Sequence, residues 1–294
     1  MRCLVLGGAG MLGHKVLQRL SERFPETLCT VRMDGADPLL RRVPLFTHSN
    51  TLTGVDAGDL SSLRCSIERI RPDVVINCVG VIKQRPDATS AIPSITINAL
   101  LPHWLAEWID PWKGRLIHFS TDCVFRGTRG QYTEADVSDA ADLYGRSKFL
   151  GEVQSPNALT IRTSIIGREL SHFASLLEWV LSQDGRRIRG FRSVRYSGVT
   201  TNYLSRLVGD LLVTHSDLSG LFHVASEPIS KLDLITMVRD GFGLTIDIVP
   251  SDDEVSDRTL DGRRFVERTG YVTPSWSAMI QELANDPTPY TEWK

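Results

Sequence analysis

The chain has 294 residues, 41% of them hydrophobic, with 33 Lys plus Arg against 35 Asp plus Glu and a formal charge of −2. That balance gives no general attraction to nucleic acid or an anionic membrane, and the apolar content suits an ordinary buried core rather than a disordered chain. Cys3, Cys29, Cys65, Cys78 and Cys123 are scattered with no C-x-x-C pair, so reduced thiols in a cytoplasmic protein are expected rather than a disulfide framework. The first apolar run is too short for a signal peptide, and no uncharged apolar stretch of about 18 residues occurs, so no membrane segment is expected.

In chain order, residues 3–6, 28–32, 73–77, 115–120 and 158–162 are short apolar, β-branched runs that read as buried parallel strands. Between them, residues 11–23, 61–70, 92–108 and 144–153 have helical length and periodicity. Residues 1–165 therefore read as a Rossmann-type doubly wound parallel sheet of α/β class. After residue 165 the alternation weakens. Helical stretches at 172–181, 201–214 and 231–241, with a strand at 220–225, are interleaved with segments rich in glycine, proline and charge. A smaller C-terminal α/β substrate-binding annex over 166–294 is expected, with some later segments free to return to the sheet. The proline-bearing tail, 286–294, reads as loosely held.

Gly7, Gly8, Gly10 and Gly13 follow the first strand and open the first helix, satisfying both G-x-x-G-x-x-G and G-x-G-x-x-G. Glycine there permits a tight turn and close backbone approach to a pyrophosphate, which would meet the positive end of the helix; a plain glycine turn is the alternative. Gly7, Gly10, Met11, Leu12 and Gly13 are the candidate phosphate contacts. At the end of the second strand, where an NAD-selective site places an acidic residue, stands Arg32. Its guanidinium suits a 2′-phosphate, so NADPH is preferred, with NADH open because Asp34 is two residues on and Arg32 could be plain surface.

Tyr144 and Lys148 stand at i and i+4 on one face of a helix. A phenol with an ordinary pKa near ~10 needs a neighbouring ammonium to ease proton transfer near neutrality. Thr121 and its neighbours Asp122 and Cys123 sit at the carboxyl end of the strand read over 115–120, where ligands bind. Each feature alone has a bland reading, an exposed helix pair or a strand-end cap. Their order and spacing together point to carbonyl reduction.

Through Gly7–Gly13, Asp59 with Leu60, residues 76–80, Asn98, Ser120–Phe125, Tyr144–Lys148 and Arg162–Gly167, the chain resembles the extended short-chain dehydrogenase/reductase superfamily. Within it, residues 220–225 and 257–261 are similar to the dTDP-4-dehydrorhamnose reductase family. The resemblance implies Tyr144 as proton donor, Lys148 as phenol tuner and ribose contact, and Thr121 as carbonyl-orienting hydroxyl. It implies adenine contacts from Asp59 and Leu60, cofactor contacts from Cys78, Val79 and Gly80, and nicotinamide neighbours in Thr163, Ser164 and Ile165. Asn98 has a helix-interior structural role as an equal alternative. Cys123 stands where the family often has tyrosine and where related dehydratases have glutamate, which disfavours dehydration.

The implied substrate is a nucleotide-activated 4-keto-6-deoxysugar, dTDP- or UDP-linked, of the kind used in cell-surface polysaccharide precursors. Asp122, Cys123, Arg192 and Arg258 are candidate substrate contacts, with Arg189, Arg195, Arg263 and Arg264 as further charge for the diphosphate. No H-E-x-x-H and no close His/Cys cluster suggests a metal. A homodimer, a nucleotide-sugar epimerase and a non-catalytic dinucleotide-binding regulatory subunit remain open.

Overall fold

The computed structural model describes residues 1–82 and 90–293. The chain runs β1 (Cys3–Leu6), α1 (Gly13–Arg23), β2 (Leu28–Thr30), α2 (Pro38–Arg42), β3 (Thr51–Leu52), α3 (Leu60–Ile70) and β4 (Val74–Asn77). There follow α4 (Ala91–Ser94), a π-helical turn (Ile95–Leu100), α5 (Leu101–Ile109), β5 (Arg115–Thr121), α6 (Leu143–Leu150) and β6 (Ala158–Thr163). The remainder is β7 (Ile165–Ile166), α7 (Leu176–Leu181), β8 (Arg187–Phe191), β9 (Val194–Tyr196), β10 (Val199–Thr200), α8 (Thr201–Thr214) and β11 (Gly220–His223). Last come β12 (Ile229–Ser230), α9 (Lys231–Phe242), β13 (Asp247–Ser251), β14 (Ser256–Asp257), α10 (Arg263–Thr269) and α11 (Trp276–Ala284).

Seven strands form one parallel sheet in the order β11-β6-β5-β4-β1-β2-β3. This is the expected Rossmann-type α/β fold. Alternate strand residues feed opposite layers, as the two-residue period of a strand requires. Cys3 and Val5 pack with Val16, Leu17 and Leu20 of α1 and with Leu204, Leu207 and Leu211 of α8, whereas Leu4 and Leu6 pack with Leu63 and Ile67 of α3 and Leu101 and Leu105 of α5. Both faces are covered, which is why β1 is apolar along its length and β4 is apolar up to its last residue, Asn77.

Three small sheets carry the rest: β10 with β7, β12-β9-β14, and β13 with β8. The residues after 165 do not all stay in this region, since β11 extends the main sheet beside β6 and α8 packs on α1. The tail differs from its sequence reading. Thr288 and Tyr290 are buried, because Lys15 and His14 of α1 supply partners for it; residue 294 lies outside the described residues.

Candidate active site

The order of the main sheet reverses between β1 and β4, which opens a crevice at their carboxyl ends. Gly7 has a φ of +78°, a left-handed backbone that favours glycine, and a Cβ there would sit 3.0 Å from Val79 Cγ2 of the loop after β4. A Cβ on Gly13 would overlap the Gly7 carbonyl, so the helix start and the loop can close together only as glycines.

Helix α1 begins with no side-chain cap and no acidic residue in its first turn. By contrast, Asp59, Asp142, Thr200, Ser230 and Ser275 each accept a backbone N–H at the start of their helices. An uncapped start keeps its N–H groups and the positive end of its dipole for an anion, so Gly10, Met11, Leu12 and Gly13 fit a pyrophosphate.

Other candidate cofactor contacts ring the same crevice. Arg32 is exposed just past β2, and Asp34 is used locally, accepting from Ala36 N at 2.8 Å. Asp59 is exposed and caps α3 by accepting from Ser62 N at 3.1 Å, while Leu60 packs into the core beneath. Cys78 N donates to Leu6 O at 3.1 Å and Val79 N to Asn77 Oδ1 at 3.1 Å, which carries Cys78, Val79 and Gly80 past β4. Thr163 ends β6, the Ser164 carbonyl accepts from Val199 N at 2.8 Å, and Ile165 opens β7.

The catalytic candidates meet at the end of β5. Thr121, its last residue, accepts from Cys123 N at 3.1 Å and donates to Asp122 Oδ1 at 3.2 Å, and its hydroxyl faces the Tyr144 phenol. Gly145 lets α6 come this near, since a Cβ there would overlap the Cys123 carbonyl. Burial pushes the Tyr144 pKa up, and Thr121 opposes it, so the phenol is held protonated.

Lys148 is buried one turn further along α6 and donates to the Phe119 carbonyl at 2.6 Å. Its Nζ also lies 3.4 Å from His118 Nε2, and His118 Nδ1 lies 3.2 Å from Asn77 Nδ2, two donors of which a neutral imidazole can accept from only one. Burial pulls the Lys148 pKa down to about 8, with the Glu152 carboxylate opposing. His118 is pushed well below its ordinary value, first by burial and then by Lys148.

Asn98 ties this helix to the cofactor crevice. It sits in the π-helical turn, where its side chain brackets Val81, donating to the carbonyl and accepting from the N–H, both at 2.9 Å. It also contacts Ser147 Oγ at 3.2 Å. Its role on the described contacts is thus to hold the loop after β4 beside α6.

On the annex side, a cavity of about 300 Å³ is lined by Ala174, Leu176, Trp179, Arg189, Phe191 and Lys231, among others. Lys231 also faces Asp122, Cys123 and Arg258, and burial lowers its pKa. It therefore joins the cavity to the catalytic loop. Arg258 donates to the Phe125 carbonyl at 3.0 Å, and the buried Tyr196 hydroxyl, near Asp122, has no hydrogen-bond partner among the described residues.

Arg192 is not brought to this cavity wall; it is an exposed side chain paired with Asp252 at 3.0 Å. Arg263 and Arg264 line a different surface cleft, with Glu134 and Glu267. Sequence reasoning missed Lys231, His118 and Tyr196. Lys231 carried a signal, because a lysine at the first position of a helix opposes the dipole and needs another purpose.

Residues 1–287 match the RmlD substrate binding domain family. The chain belongs to that family. A probable dTDP-4,6-dihydroxy-2-methyloxan-3-one 4-ketoreductase of Streptomyces antibioticus is 31% identical over 170 residues, a match spanning 56% of this chain and about half, 51%, of that protein. Methionine adenosyltransferase 2 subunit beta of Danio rerio is 27% identical over 257 residues, covering 83% of this chain and 74% of that protein. Among solved structures, a hypothetical dTDP-4-dehydrorhamnose reductase from Sulfolobus tokodaii superposes with a TM-score of 0.75 at 25% identity, covering 95% of this chain and 99% of that one. That structure shares the α/β architecture described above over 95% of this chain. No helix among the described residues is long and apolar enough to cross a membrane.

Proposed function

We propose that this chain is a cytoplasmic NADPH-dependent oxidoreductase that reduces the 4-keto group of a nucleotide-activated 6-deoxysugar. The observation that carries the reading is the meeting of Thr121, Tyr144 and Lys148 at the end of β5, beside the glycine-lined crevice. A bound nicotinamide dinucleotide supplies hydride at such a site. The chain's own groups do the rest. Thr121 and Tyr144 hold the carbonyl oxygen, and Tyr144, kept protonated, delivers its hydroxyl proton to the oxygen as negative charge develops there.

The Lys148 ammonium has three N–H bonds, and the one directed at the Phe119 carbonyl leaves capacity for further acceptors. Its charge eases proton loss from the phenol. Lys231, Arg189 and Trp179 supply cation and aromatic surface at the annex cavity for the nucleotide diphosphate, and Tyr196 offers an uncommitted hydroxyl near Asp122 for the sugar. Cys123 leaves no carboxylate at the position a dehydration would use.

The test is oxidation of NADPH and NADH, followed at the nicotinamide absorbance, against a panel of dTDP- and UDP-4-keto-6-deoxysugars. Substrate-dependent oxidation favouring NADPH is expected, and an Arg32→Glu variant should shift preference toward NADH by removing the partner of the 2′-phosphate. A second reading, a regulatory dinucleotide-binding subunit, is favoured by the likeness to methionine adenosyltransferase 2 subunit beta. Dinucleotide binding with no turnover on any sugar would select it.

A further inference from the structure

The second residue of α1, His14, has a fully buried side chain behind the glycine loop. Its Nδ1 lies 2.9 Å from the Gly10 carbonyl and its Nε2 lies 2.8 Å from the Tyr290 hydroxyl. A carbonyl only accepts, so Nδ1 carries the ring proton; Nε2 then accepts, and the Tyr290 hydroxyl donates. Burial holds the His14 pKa down to about 4, so this neutral tautomer persists over the working pH range. The Gly10 carbonyl thereby accepts twice, from the ring and from the His14 backbone N–H at 3.1 Å.

Tyr290 is itself firmly placed. Its ring meets His14 edge-on at 5.7 Å, and the Arg168 guanidinium lies 4.6 Å from its centroid, held by Glu178 at 2.7 Å. The segment leading to it is anchored by a buried pair, Lys15 with Asp286 at 2.6 Å, and by Asn202, which donates to the same carboxylate at 2.6 Å. Two buried opposite charges that depend on each other make a costly contact to open. The C-terminal tail is therefore a strap across the back of α1, and it reaches the glycine loop through His14.

We propose that His14 and Tyr290 are positioning residues for the dinucleotide: by fixing the Gly10 carbonyl they hold the glycine loop in its phosphate-accepting shape, so the C-terminal tail sets dinucleotide affinity. This rests on the dinucleotide-binding reading above. A Gly10 carbonyl released from the ring keeps only the His14 backbone N–H and can tilt toward the phosphates, where its negative end would repel them, while the N–H groups that should face the anion lose alignment.

The experiment titrates NADPH into the full-length chain and into Tyr290→Phe, His14→Asn and His14→Leu, with thermal unfolding in parallel. Tyr290→Phe removes one oxygen and keeps the ring. Its NADPH Kd should rise about 3- to 10-fold, the worth of one hydrogen bond, with the loss falling on the dinucleotide KM rather than on kcat or the sugar KM. The asparagine of His14→Asn can keep a donor where Nδ1 stood, so its Kd should track Tyr290→Phe, whereas His14→Leu should bind at least several-fold more weakly again.

A merely structural role predicts a lowered Tm with no asparagine rescue. Wild-type Kd in both His14→Leu and Tyr290→Phe overturns the inference. If His14→Leu fails to fold, Tyr290→Phe and His14→Asn decide. A wild-type chain that binds neither NADPH nor NADH overturns the dinucleotide reading itself, a different result from binding that the variants leave unchanged.

Discussion

The hydroxyl of Thr121 faces the phenol of Tyr144 across the gap between the end of β5 and the first turn of α6. A carbonyl oxygen seated against this pair would meet two hydroxyls, one of them able to give up its proton. Tyr144→Phe should therefore lower kcat by ~10²–10⁴-fold, the usual contribution of a positioned acid, while NADPH titration stays close to wild type. Thr121→Ala should cost less, about 10-fold, because it removes orientation and not the proton. Near-wild-type turnover by Tyr144→Phe would take the phenol out of the reaction.

Lys148 gives a pH signature with two opposite limbs. Its charge helps the phenol only while it is protonated, so turnover should fall as pH rises through about 8. Stability should move the other way. The folded pKa lies below the unfolded value of ~10.4, so the unfolded chain binds more protons between these values and the folded state gains as pH rises through that window. Urea unfolding from pH 7 to 10 should show this gain in wild type and not in Lys148→Met. A gain that survived in the variant would assign it to another group.

The strands and the glycine loop are legible in the sequence because a strand buried on both faces must be an apolar run, and a phosphate loop must be glycine where its backbone closes on itself. Other elements leave no such trace. Thr51–Leu52 is too short for any periodicity, and the π-helical turn at Ile95–Leu100 hides inside a continuous apolar pattern that reads as one helix over 92–108. The tail reads as loose because it is proline-bearing, yet the side chains of Asp286, Thr288 and Tyr290 are buried against Lys15 and His14, more than two hundred and fifty positions away in sequence. At the site, Tyr144, Lys148 and Thr121 are recognisable by spacing. His118 and Lys231 are not, since only tertiary packing puts them against Lys148 and Asp122.

Arg162, next to the residues that the resemblance places beside the nicotinamide, is a buried strut. Its Nε and Nη2 grip Glu152 at 2.8 and 2.6 Å, Ser120 Oγ donates to the same carboxylate at 2.6 Å, and Nη1 donates to His223 at 2.9 Å. The network joins β5, β6 and β11 directly behind the catalytic residues. Glu152→Gln leaves a guanidinium buried with half its partner's charge chemistry gone, and should cost about 3–5 kcal/mol in urea unfolding. The double variant Glu152→Met with Arg162→Met should recover much of that loss, because no charge is then stranded. A double variant as unstable as Glu152→Gln would show that packing, not charge, holds these strands.

Gly145 offers the sharpest separation of placement from chemistry, because it carries no functional group. A Cβ there would overlap the Cys123 carbonyl and crowd the Ala140 side chain, and neither is a flexible side-chain end that could swing aside. In Gly145→Ala the start of α6 must therefore back away from the end of β5, and the Tyr144 phenol moves away from Thr121. Overpacking of this kind costs about 1–3 kcal/mol in stability, less than a domain of this size needs to remain folded. Turnover should suffer more than stability, since a displacement on the order of 1 Å can cost ~10²-fold in rate. The glycine loop lies on other strands, so NADPH titration should change little. Folded Gly145→Ala protein with wild-type kcat would mean that the approach of α6 to β5 does not set the position of the proton donor.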